Sequence, residues 1–277
     1  MSRTNNEAPH SGVPGRGVPH SGAAQGLVLH GVDFSGADGG GAAKIRVVER
    51  DLSAPRNPVV LRGQFDRAGL VRAVLASAQD GRAHLWRVDA PSALPRELVQ
   101  EFQLQPTWRS VAAWMQEFGS PRQWRSHVRQ LIRREPRRTC ERAMSTPMSP
   151  LNLRVFKQTW TFICEVLLPL ADAGVRVDPV AVPATPSTVT ICEGCSASVL
   201  LLHGWPARGY KGQGEPPKQV RADIIRRLRH AGMNIPPAIA DKAVEDEEGD
   251  LLDALLLVTE PTQVAVPPDA MLESWVY

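Results

Sequence analysis

The 277-residue chain has few cysteines and no long apolar run, and each absence restricts what it can be. Its four cysteines are too sparse for a disulfide framework. No apolar stretch approaches the ~20 residues that a membrane-spanning helix requires. The first residues also lack the basic-then-apolar order of a signal peptide. We therefore expect a reducing, cytoplasmic location and no membrane partner.

The chain also lacks an excess of charge of either sign. Lys and Arg number 32 against 29 Asp and Glu, which gives a net charge of +3. This balance excludes a histone-like or tail-type polyanion binder, so any contact with nucleic acid has to come from a local basic patch. A chain of this length can bury about three quarters of its unfolded surface, so it needs neither disulfides nor a structural metal to fold.

Gly, Pro, Ser and Asn dominate residues 1–25, in which the sequence Pro-His-Ser-Gly occurs at 9–12 and again at 19–22. Such a segment has almost nothing to bury and cannot offset the entropy lost on ordering. We expect residues 1–25 to be a disordered N-terminal extension. The remainder, 26–277, is expected to form a single domain.

The apolar pattern of that domain alternates between strand and helix spacing. Strands are predicted over 27–33, 44–48, 58–62, 83–89, 175–182 and 188–193. Helices are predicted over 65–75, 95–102, 107–118, 123–134, 152–170, 197–203, 218–231 and 250–259. A three-strand antiparallel meander followed by alternating β and α elements is the order of the RNase H-like fold. The predicted fold class is therefore α/β, with an RNase H-like mixed sheet and a helical insertion at about 100–172.

Acidic residues end three of the predicted strands, at Asp33, Asp89 and Glu193. Ligands usually bind at this edge of an open α/β sheet. Carboxylates gathered there repel one another unless they are protonated or bridged by cations. Oxygen ligands favour Mg²⁺ or Mn²⁺ over zinc. These three acids are therefore candidate catalytic and metal-binding residues.

A further acid, Asp253, lies in a helix that is apolar nearly all round, where an ionised side chain is costly without a partner. A metal cluster would supply that partner, and Asp250 shares the same helix face. Two ions about 4 Å apart can activate a water and stabilise the leaving oxygen of a phosphodiester. The cluster therefore predicts a nuclease, with Asp253 as a catalytic residue and both helix acids as metal ligands.

Each acid also has a purely structural explanation. Asp33 could be the first residue of an Asx-type turn, Asp89 could simply terminate its strand, and Glu193 could be a charge on the surface. Asp250 suits the N-cap of its helix, with Asp253 answering it as in a capping box. The agreement among the strand ends is what favours one common site.

A basic stretch from residue 122 to 142 holds eight arginines and two acids. We expect Arg129, Arg133 and Arg137 to contact the phosphate backbone of DNA or RNA, although arginines on such a helix often only face solvent. Arg208 and Lys211 lie near glycines in one loop and are further candidates for a phosphate contact. Nucleic acid is thus the expected partner, and the sequence does not indicate an oligomeric state.

Several segments also resemble one known family. They are Gly31–Ala37, Val88–Pro91, Thr146–Arg154, Gly209–Gly212, Asp250–Leu255 and Glu273–Tyr277. Over about residues 28–277 the chain resembles the family called domain of unknown function 429, a group of predicted nucleases with an RNase H-like fold. The resemblance implies a metal-dependent nuclease whose acidic cluster is the five acids named above.

The chain departs from that family at Ser92-Ala93, where an aromatic residue and a glycine are usual, and at Gly194–Ala197, where an aromatic-Pro-Ala step is usual. These departures keep open a non-catalytic nucleic-acid-binding protein on the same fold. A phosphate-binding ATPase or sugar-kinase relative is a second alternative, because Gly31–Gly36 before a hairpin also resembles the first phosphate loop of the actin-like fold. That fold requires a second such loop, which the sequence lacks.

Overall fold

The computed structural model describes residues 26–38, 44–144, 148–261 and 266–277, so the predicted disordered extension lies outside the described residues. The strands are β1 (Leu27–Asp33), β2 (Ile45–Asp51), β3 (Val60–Phe65), β4 (Ala83–Asp89), β5 (Arg176–Asp178) and β6 (Val189–Glu193). The helices before β5 are α1 (Arg67–Ser77), α2 (Arg96–Glu101), α3 (Trp108–Gln116), α4 (Pro121–Leu131), α5 (Thr139–Ala143), α6 (Phe156–Thr161), a π-helical segment (Phe162–Leu167) and α7 (Leu168–Asp172). The helices after β6 are α8 (Ser196–Leu202), α9 (Glu215–His230), α10 (Pro237–Glu245), α11 (Asp250–Leu256) and α12 (Ala270–Glu273).

The strands form one mixed sheet in the order β3-β2-β1-β4-β6-β5. β1, β2 and β3 pair antiparallel, whereas β4 is parallel to β1 and β6 is parallel to both β4 and β5. The chain is therefore α/β, and the meander precedes the parallel strands. The strand predicted over 175–182 is shorter, because Ala181 folds back to pair with Val177.

Helices cover both faces of the sheet. Successive strand residues point to opposite sides, and apolar strand residues on each side pack against the helices there. On one face Val32 and Val88 pack with Leu70 of α1 and with the π-helical segment. On the other face Leu29 and Leu85 pack with α9 and α11. Within the described residues, no helix has the length and apolar character needed to cross a membrane.

The basic insertion is helical, as predicted, with α4 running from Pro121 to Leu131 and capped by the Ser120 hydroxyl. Helix α10 was not predicted. It begins at Pro237 after Pro236, and two prolines discourage a helix prediction unless they are recognised as its start.

A buried arginine joins the insertion to the sheet. Arg138, which is 0% exposed, donates to the Glu193 carboxylate at 2.6 and 2.8 Å and to Glu141 at 2.7 Å. The Ser92 N–H and hydroxyl also donate to Glu193, at 2.8 and 2.7 Å. The Glu273 carboxylate of α12 accepts from the Thr139 N–H at 2.9 Å. Strand β6, helix α5 and the C-terminal segment are thereby held together.

Replacing Arg138 with Met should lower the free energy of unfolding by about 3–5 kcal/mol, because it leaves buried carboxylates without their cation. Urea unfolding of the purified protein measures this change. Arg137→Met, at the exposed neighbouring position, serves as the control and should alter stability by less than about 0.5 kcal/mol. Equal effects of the two substitutions would contradict this role for Arg138.

Candidate functional site

Asp33 and Asp89 end the two central parallel strands, β1 and β4, and the register pairs them directly. Leu29 and Leu85 precede them by an even number of residues and pack in the core beneath α9 and α11. Because side chains alternate along a strand, the two carboxylates lie on that same face. The register therefore brings both acids to one edge of the sheet, beside α11.

Two glycines allow α11 to lie close to this edge. A Cβ on Gly31 would stand 2.1 Å from the carbonyl oxygen of Ala254, and a Cβ on Gly194 would stand 2.7 Å from Leu257 Cδ2. Any side chain at Gly31 would push the helix away from the sheet, because the close atom belongs to the backbone, whereas one at Gly194 would require the Leu257 side chain to move. The close approach brings Asp253, which is only 2% exposed, into electrostatic contact with Asp33.

The predicted capping role of Asp250 is wrong. Gly249 precedes α11 in the left-handed conformation, with φ of 77°, and the Leu251 N–H donates to the Asp246 carboxylate at 2.8 Å. Asp250 is the first helical residue, and neither it nor Asp253 caps the helix. Asp250 instead lines the cavity that Asp33 also borders.

The loop between α8 and α9 supplies two partners to Asp253. The Tyr210 hydroxyl donates to one carboxylate oxygen at 2.8 Å, and the Lys211 ammonium lies 2.6 Å from the other. Arg221 of α9 fixes this loop by donating to the Tyr210 and Gly212 carbonyls at 2.7 and 3.1 Å. Lys211 thus supplies a positive charge to the acid cluster. Tyr210 was missed as a site residue, although a tyrosine hydroxyl next to a candidate cation could have indicated it.

The gathered carboxylates raise one another's pKa. Burial raises the pKa of Asp33 well above its ordinary value, and repulsion from Asp253 and the other acids raises it further. Burial and then repulsion from Asp253 raise the pKa of Asp89 to about 6, although the Ser196 hydroxyl donates to it at 2.8 Å. Burial alone would lower the pKa of Lys211, but attraction to Asp253 and its neighbours raises it. Negative charge therefore exceeds positive charge in the cluster.

Glu193 does not join this cluster. It pairs with Val88 in the register, so its side chain lies on the opposite face from Asp89. There its carboxylate is occupied by Arg138 and Ser92. The residue that follows Glu193 and falls opposite Asp89 is Gly194, which carries no side chain. Glu193 therefore belongs to the structural ion cluster of α5 and not to the acid site.

Of the residues predicted to contact phosphate, Lys211 lies at the acid cluster, whereas the four arginines do not. Arg129 donates to the Arg133 carbonyl at 2.5 Å and to the Glu135 carboxylate at 2.8 Å, so it closes the end of α4. Arg133, Arg137 and Arg208 are exposed, and none of them lines the cavity beside Asp33. The expected contacts of these arginines with a phosphate backbone therefore stay a prediction, at positions away from the acid cluster.

A cleft of about 900 Å³ opens beside the acid cluster. Five cationic residues line it: Lys44, Arg46, Arg154, Lys157 and Lys211. Asp33, Asp250 and Glu248 line it as well. Arg154 and Lys157 were not predicted as site residues, because they lie in the sequence outside the arginine-rich stretch. The cleft can accept an anionic substrate. Its phosphates would contact the lining cations, and one phosphate would reach the carboxylates.

The donor chemistry of the cluster suits a hard divalent cation, because buried carboxylate oxygens carry excess negative charge there. Among the described residues, however, no three His, Cys, Asp or Glu side chains are arranged to hold a single ion. The Lys211 ammonium lies against Asp253 in this arrangement. The residues fit a metal in type and charge, and withdrawal of Lys211 is the change that would free Asp253 as a ligand.

Comparison of the chain with protein-family models, with curated proteins and with solved structures finds no match in any of the three. The resemblance drawn from the sequence motifs therefore stays a prediction.

Replacing Asp89 with Asn should stabilise the metal-free protein in a pH-dependent way. The pKa of Asp89 is about 6 in the folded protein against an ordinary 3.8, so its contribution to stability is fully present below about pH 3.8 and lost as the pH rises through about 6. The variant should melt at a higher temperature than the parent above about pH 7, and the difference should shrink toward about pH 4.

Thermal unfolding followed by circular dichroism in EDTA measures this difference. Asp172→Asn is the control, because that exposed residue pairs with Arg109 away from the cleft. A destabilised Asp89→Asn protein at neutral pH would show that the carboxylate is structural.

Proposed function

We propose that this protein is a divalent-metal-dependent nuclease, which hydrolyses phosphodiester bonds of DNA or RNA on an RNase H-like fold. The element order supports the fold proposal. An antiparallel meander is followed by strands parallel to its first member, and a late helix, α11, lies against that same strand. In such a sheet the carboxyl ends of β1 and β4 are the expected place for a catalytic site.

The observation that carries the proposal is the electrostatic contact of Asp33 with Asp89, Asp250 and Asp253, beside a cation-lined cleft that Asp33 and Asp250 border. Clustered acids alone repel a polyanion. Here Lys157 and Arg154 line the cleft. They can hold phosphates close to the carboxylates, which would repel phosphates if no cations were present. A neutral or cationic substrate would gain no attraction from these cations.

The acids would hold Mg²⁺ or Mn²⁺, with Asp33, Asp89, Asp250 and Asp253 as ligands. When bound, the metal would supply an activated water and stabilisation of the leaving oxygen. The protein's own groups orient the carboxylates and offset part of their charge. Tyr210 orients one oxygen of Asp253, Ser196 orients Asp89, and Lys211 keeps the crowded carboxylates partly neutralised before the ion arrives.

Asp33→Asn tests the proposal directly. The substitution removes one of several crowded negative charges while keeping the size and shape of the side chain. Metal-dependent cleavage of labelled single-stranded, duplex and hybrid oligonucleotides should fall by more than about 100-fold, because several kcal/mol of charge stabilisation is lost. The melting temperature should stay equal or rise.

Asp172→Asn is again the control and should cleave like the parent. Parent protein that hydrolyses a nucleoside triphosphate but no oligonucleotide would favour the ATPase alternative and reject the nuclease. A large loss of stability in Asp33→Asn would mark that residue as structural.

Lys211→Gln tests whether the ammonium competes with a metal ion. A positive charge a few Å from a divalent ion opposes its binding by about 1–2 kcal/mol even in a watery surrounding. The midpoint of the Mg²⁺- or Mn²⁺-induced rise in melting temperature should therefore shift to roughly tenfold lower metal concentration. This readout needs no substrate.

Lys44→Gln is the matched control, because Lys44 lines the same cleft at its exposed rim. Equal shifts in both variants would indicate a general charge effect. No metal-induced shift in any of the proteins would count against a metal site.

A further inference from the structure

A second cavity of about 670 Å³ lies on the outer side of the insertion. It shares Leu153 and Lys157 with the cleft beside the acid cluster, so the two join as one groove. The groove runs from the ends of β1 and β4, across the start of α6, to the exposed side of α4. We call this whole surface the α4–α6 groove.

Positive charge predominates in the outer half of the α4–α6 groove. Arg122, Arg125, Arg129 and Lys157 line it, and among the described residues no acid does. Arg125 donates to the Leu151 carbonyl and lies over the Phe156 ring, and Arg129 closes the end of α4. Arg122 and Lys157 are therefore the cations best placed to meet a ligand.

Both of these cations are held by one exposed carboxylate. Asp38, which is 65% exposed, accepts from the Lys157 ammonium at 2.8 Å and from Arg122 at 3.3 Å through the same oxygen. Arg122 belongs to α4 and Lys157 to α6, so the carboxylate bridges two separate helices. An anionic oxygen shared by two cations is the arrangement that a backbone phosphate would also make.

An apolar side chain projects where the two cavities meet. Leu153 is 69% exposed and lines both of them, although its surroundings are cationic. This leucine belongs to none of the apolar cores that the described residues form. The face of an unpaired base can cover it directly, whereas a duplex would first have to unstack a base step, which costs a few kcal/mol.

We propose that the α4–α6 groove carries the phosphate backbone of a single nucleic-acid strand that extends from the acid cluster, with Asp38 standing where one phosphate binds and Leu153 contacting a base. This inference rests on the proposed function for its substrate. It replaces the predicted contacts at Arg133 and Arg137 with contacts at Arg122 and Lys157.

Asp38→Asn gives the sharpest test, because it frees both cations at once. Binding is measured with a labelled oligothymidylate of about twelve nucleotides, with Ca²⁺ in place of Mg²⁺ to prevent cleavage. The variant should bind several-fold more tightly than the parent at low salt, and the log-log salt dependence should steepen by about 0.7 for each added phosphate contact. Asp172→Asn, which removes another exposed, arginine-paired acid, should behave like the parent.

Two further variants separate charge from base contact. Introduced into the Asp38→Asn protein, Arg122→Gln with Lys157→Gln should flatten the salt dependence by about 1.4, since each lost contact to a single strand accounts for about 0.7. Arg133→Gln with Arg137→Gln removes the same charge elsewhere on the insertion and should leave the slope unchanged. Leu153→Ala should weaken binding of the single strand and reduce its preference over duplex without altering the slope.

The outcomes distinguish this inference from the proposed function. A protein that cleaves oligonucleotides through Asp33, but whose groove pair and control pair have equal salt slopes, overturns the groove while the nuclease proposal stands. Groove variants that shift binding as expected in a protein without metal-dependent cleavage support the groove and reject the nuclease. Tighter binding of duplex than of single strand by the parent overturns the assignment of the strand.

Discussion

The parallel register between β1 and β4 is the constraint on which the rest of the site depends. It sets Asp33 beside Asp89, and alternation along the strands then assigns Val32 and Val88 to one core and both acids to the opposite face. Slipping the pairing by one residue would move one carboxylate into the apolar core under α1. The buried packing of both faces therefore fixes the acids in position as firmly as it fixes the sheet.

The acid cluster is stable in spite of its own charge. Asp33 and Asp89 lie half-buried among like charges, which raises the pKa of each, and the Lys211 ammonium offsets part of that repulsion. The cost is carried by the large apolar contacts around α11, whose close approach depends on Gly31. Such a local conflict between stability and charge is typical of functional sites, and it is the physical reason for placing chemistry here.

Arginines of the insertion have two separate roles, one structural and one at the surface of the groove. Arg138 is buried and holds α5 to β6 and the C-terminal segment, whereas Arg122 is exposed and faces the groove. Arg129 also lines the groove, but its guanidinium is used to close the end of α4. A count of arginines along the chain therefore overstates how many can meet a phosphate, and the distribution of their partners separates structural from available cations.

The meander, the strand ends at Asp33 and Asp89 and the buried acid in α11 could be predicted from the sequence, because apolar periodicity and an ionisable group in an apolar helix are local signals. Tertiary structure alone decided the fate of Glu193. It ends its strand just as Asp89 does, yet it is paired one residue earlier in the register, so its side chain lies on the other face with Arg138. Register between strands is set by contacts distant in sequence, and side-chain direction reverses with each residue, so no local pattern could have distinguished the two acids.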